Sequence, residues 1–381
     1  MTFLHTADLH LGRAFKSIGG EAATELAAAR FHVLEAVARR VAETGAAFVV
    51  VAGDLFDGKN PDGPTVARAM EALGKVGAPV YAIPGNHDPG GPYGPYESAK
   101  YADYRRRFAP DFHLLTTPEP VVLEEHGVVL LPCPATGRPG ADPTAWLRDA
   151  SVYEGLPADL PRVAIAHGGT VDFPGDVEQA AEISLHRLPR AELDYVALGD
   201  WHGTLHVADP AYRYAGTPEP DRFPRHDDYR NGLALAVTPA RGGPPVIDEH
   251  AVGRYAWVTQ RRTVRSADDV ARLDEDLLAV GPQRERLLRL VLDGSLDIAA
   301  SAALAETLER LSDVYRHADV DRAAVVVAPG EAELARMAAD ASHPTVATVA
   351  RKLAALLEDE AQAPAARLAL VKLYEATTAP A

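Results

Sequence analysis

The chain has 381 residues, 47% of them hydrophobic and 24% charged, which supplies a sizeable core and excludes a disordered polymer. Its net charge of -16 at pH 7 excludes a broadly basic nucleic-acid surface, though not a local one made by bound cations or a partner. One cysteine, Cys133, excludes an internal disulfide framework, and no stretch has the length and apolarity of a membrane span. A soluble chain in a reducing cytoplasm, with no membrane contact, is the expectation.

Taken in order, Thr2 to Ala7 forms a short strand that Asp8-Leu9-His10-Leu11-Gly12 interrupts. A helix is predicted from Glu21 to Thr44, with Leu26, Val33, Leu34, Val37 and Val41 on one face and Gly45 as its stop. Phe48 to Ala52 is an unbroken apolar run, which suits a strand buried on both faces of a layered α/β sheet. It ends in Gly53-Asp54-Leu55-Phe56-Asp57.

A helix over Thr65 to Val76 and a strand over Pro79 to Ile83 follow, the latter ending in Pro84-Gly85-Asn86-His87-Asp88. Gly90 to Tyr96 reads as a loop overhanging that end, and Tyr101 to Phe108 as a helix. Its Arg105-Arg106-Arg107 run reads as a solvated helix end, with phosphate contact as the alternative. Val121 to Leu131 reads as a hairpin turning at Glu125-His126-Gly127. Arg162 to Ala166 ends in His167, and Tyr195 to Leu198 ends in Gly199-Asp200-Trp201-His202. Strands at Leu205 to Ala208, Tyr212 to Ala215 and Leu233 to Val237 are expected to complete a second sheet.

Near Gly242-Gly243-Pro244-Pro245 the composition shifts. Beyond it the pattern is strand 258–264, helix 267–278, strand 287–292, helix 299–311 and strand 323–327, a small α/β unit without chemistry of its own. The last fifty residues are helix formers, with Val346, Val349, Leu353, Leu356 and Leu357 on one face and Leu368, Leu370, Val371 and Leu373 in a second segment. Three domains are expected: 1–240, 241–330 and 331–381.

The recurrence of Asp, His and Asn at successive strand ends carries the functional reading. Asp8 and His10 lie two apart, and the strand period of two is expected to aim both to one side. Asp200 and His202 repeat that spacing. With Asp54, Asn86 and His167 they make a set of oxygen and nitrogen donors without sulfur, suited to two divalent cations bridged by Asp54. Mn²⁺ is the first choice, and Mg²⁺ and Fe²⁺ are compatible. Two cations roughly 3.5 to 4 Å apart suit phosphate-ester hydrolysis, with His87 placed to act as general acid.

The motifs Asp8-Leu9-His10, Gly53-Asp54-Leu55-Phe56-Asp57, Gly85-Asn86-His87-Asp88, the lone His167 and Gly199-Asp200-Trp201-His202 resemble the calcineurin-like metallophosphoesterase superfamily. His5-Thr6-Ala7-Asp8-Leu9-His10-Leu11-Gly12, Asp194 to Gly199 and Tyr214-Ala215-Gly216-Thr217-Pro218 are similar to its DNA-repair nuclease branch, the SbcD and Mre11 type. The resemblance covers residues 1 to about 240, and beyond them it holds by layout only.

It implies an α/β sandwich of two mixed sheets flanked by helices, a small α/β capping domain and a C-terminal helical segment. It assigns Asp8, His10, Asp54 and His202 to one ion, and Asp54, Asn86, His167 and position 200 to the other. It further implies DNA as substrate, a coiled-coil SMC-like ATPase of the Rad50 or SbcC type docked on the C-terminal helices, and a homodimer. Asp200 departs from the pattern, which has His there. The alternatives left open are a phosphoesterase for cyclic or small nucleotides or phosphoproteins, and a weakly active scaffold.

Overall fold

The structure is a computed structural model, and it describes residues 1–378 apart from 93, 136–140, 171–181, 208, 225–228, 328 and 360. Residues 93 and 208, which fall in the predicted overhanging loop and in the strand predicted to end at Ala208, therefore lie outside the described residues. Two compact units emerge, Met1–Ala256 and Trp257–Ala381.

In the first unit the chain runs β1 (Phe3–Thr6), α1 (Gly20–Thr44), β2 (Val49–Val51), α2 (Gly63–Leu73), β3 (Val80–Ala82), α3 (Ala99–Phe108) and β4 (Phe112–Leu114). It continues through β5 (Val121–Leu123), β6 (Val128–Cys133), β7 (Arg162–His167), the short pair β8 (Gly169–Thr170) and β9 (Glu182–Ile183), then β10 (Tyr195–Gly199), β11 (Leu205–Val207) and β12 (Asp209–Tyr214). It closes with β13 (Leu233–Ala240) and β14 (Gly243–Ala251). One six-stranded sheet has the order β14-β13-β1-β2-β3-β4 and the other β11-β12-β10-β7-β6-β5. Both are mixed: β1 to β4 are mutually parallel and β13 is antiparallel to β1. In the second sheet β6, β7, β10 and β12 are parallel, with β5 and β11 antiparallel at the edges.

The unbroken apolar run of the second strand has a direct physical use. Val49 and Val51 pack with Leu34 and Val37 of α1 and Met70 and Leu73 of α2, whereas Phe48, Val50 and Ala52 pack with Leu130, Ile165 and Ala197 of the facing sheet. Every residue of the strand is buried, each large one contributing about 1.5–3 kcal/mol of apolar transfer. The outer face of the second sheet is covered by 3-10 turns at Ala145–Arg148 and Leu185–Arg187, with Leu147 and Leu185 fully buried on it. Trp146 Nε1 donates to the Sγ of buried Cys133, a small packed side chain whose thiol is pushed up to about 12 by burial.

The predicted helix over Glu21 to Thr44 forms, and Gly45 ends it in the left-handed conformation with its N–H on the Val41 carbonyl. The helix expected from Thr65 starts two residues earlier, because the Asp62 carboxylate caps it by accepting from Thr65 N. Arg105 donates to Phe112 O, Arg106 pairs with Asp103 and Arg107 lies over the Phe108 ring, so the helix-end reading of that run holds.

Two sequence readings are corrected. The strand beginning at Leu233 joins the first sheet, not the second, because Leu235 and Val237 pair with His5 and Phe3 and its alternate residues fill the cores on both faces. The Gly242 to Pro245 stretch lies in the hairpin joining β13 to β14, while the compact units divide at Ala256.

The second unit contains β15 (Ala256–Val264), α4 (Ala267–Ala279), β16 (Arg286–Leu296), α5 (Ile298–Val314) and β17 (His317–Val327), with sheet order β15-β16-β17. Leu273, Leu277, Leu304 and Leu311 of its helices pack on Leu288, Leu290 and Leu292. Helices α6 (Glu331–Ala339), α7 (Pro344–Ala355) and α8 (Ala363–Thr378) follow. In α7 the buried residues are Ala347 and Ala350, whereas Val349 of the predicted apolar face is 38% exposed; Leu368 of α8 is 62% exposed. Small side chains fill the closest approach of α7, while Leu370 of α8 is buried and Val346, Leu353, Leu356, Leu357, Val371 and Leu373 are half-buried. No helix among the described residues is long and apolar enough to cross a membrane.

Candidate metal centre

Because β1, β2 and β3 run parallel in one sheet and β7 and β10 run parallel in the other, their carboxyl ends open at one edge of each. Ligand sites in such sheets lie beyond those ends. The sequence clusters all sit there. Backbone bonds lash the first two together: Asp8 N to Gly53 O at 3.1 Å, His10 N to Asp54 O at 2.9 Å and Leu11 N to Leu55 O at 2.8 Å.

The strand period does not explain how Asp8 and His10 converge, since β1 has ended at Thr6. Both adopt left-handed backbone, with φ of 54° and 43°, and Asp54 (52°) and Asp200 (99°) do the same. Each such residue costs of order 1–3 kcal/mol, strain that persists only where the surroundings fix it and that clusters at functional sites. Two glycines make the approach feasible. A Cβ on Gly53, itself at φ 88°, would overlap the His167 ring, and one on Gly85 would overlap the Asp54 carboxylate.

All seven predicted side chains meet. Asp8, His10 and His202 form one group whose donor atoms lie within 4.8 Å of one another; Asp8, Asp54 and His167 form another, and His10, Asp54 and His87 a third. Asp54 thus sits in two of the three. Asn86 Oδ1 is 3.0 Å from His167 Nε2, and Asp200 Oδ1 is 3.3 Å from Asn86 Nδ2 and 3.8 Å from His167 Nε2. The Asp200 N–H donates to both Asp8 oxygens, at 3.0 and 3.2 Å.

The hydrogen positions that this geometry demands test whether the residues fit cations. His167 Nδ1 lies 2.9 Å from Ala52 O, which can only accept, so Nδ1 carries the proton. In the neutral ring that a cation would require, the Nε2 lone pair faces the oxygens of Asn86 and Asp54, the latter at 3.4 Å; without a cation the surrounding carboxylates favour a proton there instead. His202 Nδ1 lies 3.0 Å from the Asp221 carboxylate. Arg222 Nη2 is 3.2 Å from the same nitrogen, but a guanidinium can only donate and has Asp221 to donate to, so the proton belongs on Nδ1.

His10 Nδ1 faces Asp57 Oδ1 at 3.3 Å, which leaves its Nε2 facing His202 Nε2 at 3.2 Å and Asp54 Oδ2 at 3.5 Å. Lone pairs directed at lone pairs and carboxylates are the pattern that a cation resolves. Carboxylate or carbonyl partners behind each imidazole are the usual second layer of such a site.

Electrostatics agree. Burial raises the Asp8 carboxyl above its ordinary range and pushes Asp200 to about 6, with Asp8 and Asp54 adding to the latter. Burial opposes ionisation of Asp54 too, but the charges of His167, His10 and His87 outweigh it and hold Asp54 low. Burial likewise disfavours a charged His167, yet Asp54, Asp8 and Asp200 hold its pKa well above normal. Burial drives His10 down to about 3. The carboxylates therefore favour positive charge between them.

His87 donates its backbone N–H to Asp54 Oδ1 at 3.0 Å, and its Nδ1 lies 3.1 Å from Asp57 O. Asp88 braces that loop by accepting from Phe56 N and Gly85 N at 2.9 and 2.8 Å, and from the Tyr96 hydroxyl. A cavity of about 400 Å³ opens on the cluster, lined by Asp54, Asn86, His87, Asp200 and His202 together with Arg13, Trp201, Arg222 and Tyr229.

Comparison with known families matches residues 1–204, more than half the chain, to the calcineurin-like phosphoesterases. The chain belongs to that family. Within this phosphoesterase a stretch of 91 residues, 23% of the chain, is 40% identical to the DNA double-strand break repair protein Mre11 of Archaeoglobus fulgidus. That stretch is 19% of the relative, so the chain spans about a fifth of its length. TT1561 of Thermus thermophilus superposes over 66% of this chain and 98% of its own, with a TM-score of 0.40 at 15% identity. The phosphopantetheinyl hydrolase PptH of Mycobacterium tuberculosis does so over 57% and 90%, with a TM-score of 0.33 at 16% identity. Both superpositions are too loose to bear on the chemistry.

Sequence reasoning missed two residues that position the phosphoesterase cluster. Asp221 orients His202 and is fully buried on its side chain. Arg30 lies on the buried face of α1 and donates to the carbonyl oxygens of Asp8, Leu9 and Glu219. An arginine four residues after Leu26 and four before Leu34, on a stripe of apolar residues, was the available signal for the second.

Proposed function

We propose that this phosphoesterase is a dinuclear-metal phosphodiesterase that cleaves DNA, and that it serves as the nuclease subunit of a repair complex with a coiled-coil ATPase. The observation that supports the reading best is the convergence of Asp8, His10, Asp54, Asn86, His167, Asp200 and His202 with lone pairs and carboxylates facing inward. The short likeness to Mre11 favours DNA among phosphodiester substrates.

Asp8, His10, Asp54 and His202 would hold one cation, with Asp54, Asn86, His167 and Asp200 holding the second; Mn²⁺ suits this mixed oxygen and nitrogen set. Divalent cations there supply Lewis acidity toward a phosphate oxygen and lower the pKa of water. The protein does the rest. Asp57 O fixes His87 Nδ1, which leaves Nε2 to carry a proton to the leaving oxygen. Asp221 and Ala52 O hold the rings of His202 and His167 so that their Nε2 atoms face the cluster. Residues 257–330 would act as a capping domain and 331–381 as the docking segment for the ATPase.

The test is cleavage of labelled single-stranded and duplex DNA with Mn²⁺. Activity lost in Asp54→Asn and in His87→Ala supports the proposal; intact DNA at high enzyme concentration overturns it. The small cavity and the net charge of -16 favour a second reading, a phosphodiesterase for small nucleotides. Cyclic nucleotides and bis-p-nitrophenyl phosphate tested beside DNA separate the two.

A further inference from the structure

We infer that the cavity beside the cluster contains a base-stacking subsite, built from Trp201 and Tyr229, that receives an unpaired nucleobase next to the phosphodiester being cleaved. The inference rests on the phosphodiesterase reading and narrows its substrate to nucleotide units with an accessible base.

Trp201 stands between Asp200 and His202, so two residues of the cluster fix its place at the site. Its ring is anchored on the core under the outer face of the second sheet and still reaches the cavity wall. Tyr229, also half-buried, meets it at a centroid distance of 6.0 Å and an interplanar angle of 69°, a T-shaped pair. The backbone of Gly203 passes close to both rings: a Cβ there would lie 2.9 Å from Trp201 Nε1 and from Tyr229 Cε2. Glycine thus leaves room for both rings at this point.

Both rings line the same cavity as Asp54, Asn86 and His87, and its volume of about 400 Å³ lies in the range of small-ligand pockets. Arg13 and Arg222 line it too, held by Asp57 and Asp221, so guanidinium groups and π surface both belong to its walls. That pairing matches a nucleotide, with an anionic ester and a flat base. A phosphorylated serine or threonine brings no planar group to such walls. Stacking of one base on an aromatic side chain contributes about 1–3 kcal/mol and accepts any base.

The experiment measures kcat/KM with Mn²⁺ for matched base-bearing and base-free substrates. One pair is a single-stranded deoxyoligonucleotide and the same strand with abasic residues at both ends. The other is thymidine 5'-p-nitrophenyl phosphate and methyl p-nitrophenyl phosphate. The readout is the ratio within each pair, so a general loss of activity cancels. Wild-type protein is expected to favour the base about tenfold or more, Trp201→Ala and Tyr229→Ala to bring the ratio toward one, and Trp201→Phe to keep most of it.

Preference confined to the oligonucleotide pair identifies a strand end as the source of the base, and preference in both pairs admits free nucleotides. A wild-type ratio near one, or a ratio that neither alanine variant changes, overturns the subsite while leaving the phosphodiesterase reading intact. Wild-type protein that hydrolyses none of these substrates overturns both.

Discussion

Arg30 Nη2 donates to the carbonyl oxygen of Asp8 across 2.8 Å, from the face of a helix whose other buried residues are all apolar. The same guanidinium donates to Leu9 O at 2.7 Å, Glu219 O at 2.9 Å and Thr217 Oγ1 at 3.0 Å. It fastens the loop that carries Asp8 and His10 to the segment that leads to Asp221. Replacing it with methionine leaves Leu9 O buried and unpaired, together with one of Asp8 O and Glu219 O, since the Thr217 hydroxyl can donate to only one of them; at about 1–3 kcal/mol each, Arg30→Met is expected to lose at least about 2 kcal/mol. Arg30→Lys should recover less than half, because an ammonium lacks the planar fork. Urea unfolding measures both, and a loss below about 1 kcal/mol in Arg30→Met contradicts the assignment.

Glu219 gives a pH dependence with a defined sign. Its carboxylate accepts from Arg254 N at 2.8 Å and Tyr255 N at 2.9 Å, yet burial outweighs those bonds and the charges of Arg30 and Arg254, and raises its pKa above 4.5. The folded chain therefore binds this proton more tightly than the unfolded chain. The associated stability is complete below the unfolded value and is lost as pH rises through the folded one. Unfolding midpoints of wild type and Glu219→Gln, compared from pH 4 upward, should shift in favour of the variant and then level off. A difference that stays flat across that range contradicts the assignment.

Asp221 should tune cation affinity through His202 without touching a cation itself. Asparagine at this position can turn its NH₂ toward His202 Nδ1, which moves the ring proton to Nε2 and removes the lone pair that faces His10. Asp221→Asn is expected to weaken Mn²⁺ binding about 10- to 100-fold with the fold retained. Calorimetric titration of the chelator-treated protein reads the affinity, and circular dichroism checks the fold.

The sequence disclosed the strands and the chemistry at their ends because both are local. Phe48 to Ala52 is apolar at every position since both faces of its strand are covered, and Asp54 follows at once because the strand stops there. It did not disclose how Asp8 and His10 turn to face one another, since left-handed backbone at two non-glycine residues is imposed by partners such as Gly53 O and Asp54 O far along the chain. Nor did it place the strand at Leu233, because an apolar run does not name the sheet it completes. In α7 the large apolar residues suggested the buried face, but helix-to-helix approach favoured Ala347 and Ala350.

Asp200 stands where the motif it resembles has histidine, and the structure gives that carboxylate the surroundings of a ligand. Its own N–H is committed to Asp8, its φ is 99°, and its Oδ1 faces Asn86 Nδ2 at 3.3 Å on the Asp54 and His167 side of the cluster. Burial together with the charges of Asp8 and Asp54 pushes its carboxyl up to about 6, and a divalent cation would relieve that crowding. In metal-soaked crystals an Asp200 oxygen is expected at about 2.0–2.6 Å from a cation. In calorimetric titration Asp200→Ala should bind its second Mn²⁺ at least about tenfold more weakly. Asp200→His should move the preference from Mg²⁺ toward Zn²⁺ and Co²⁺, because imidazole suits the later metals better than carboxylate does. If Asp200→Ala binds two Mn²⁺ with unchanged affinity, Asp200 is not a ligand, and the second cation is held by Asp54, Asn86 and His167 alone.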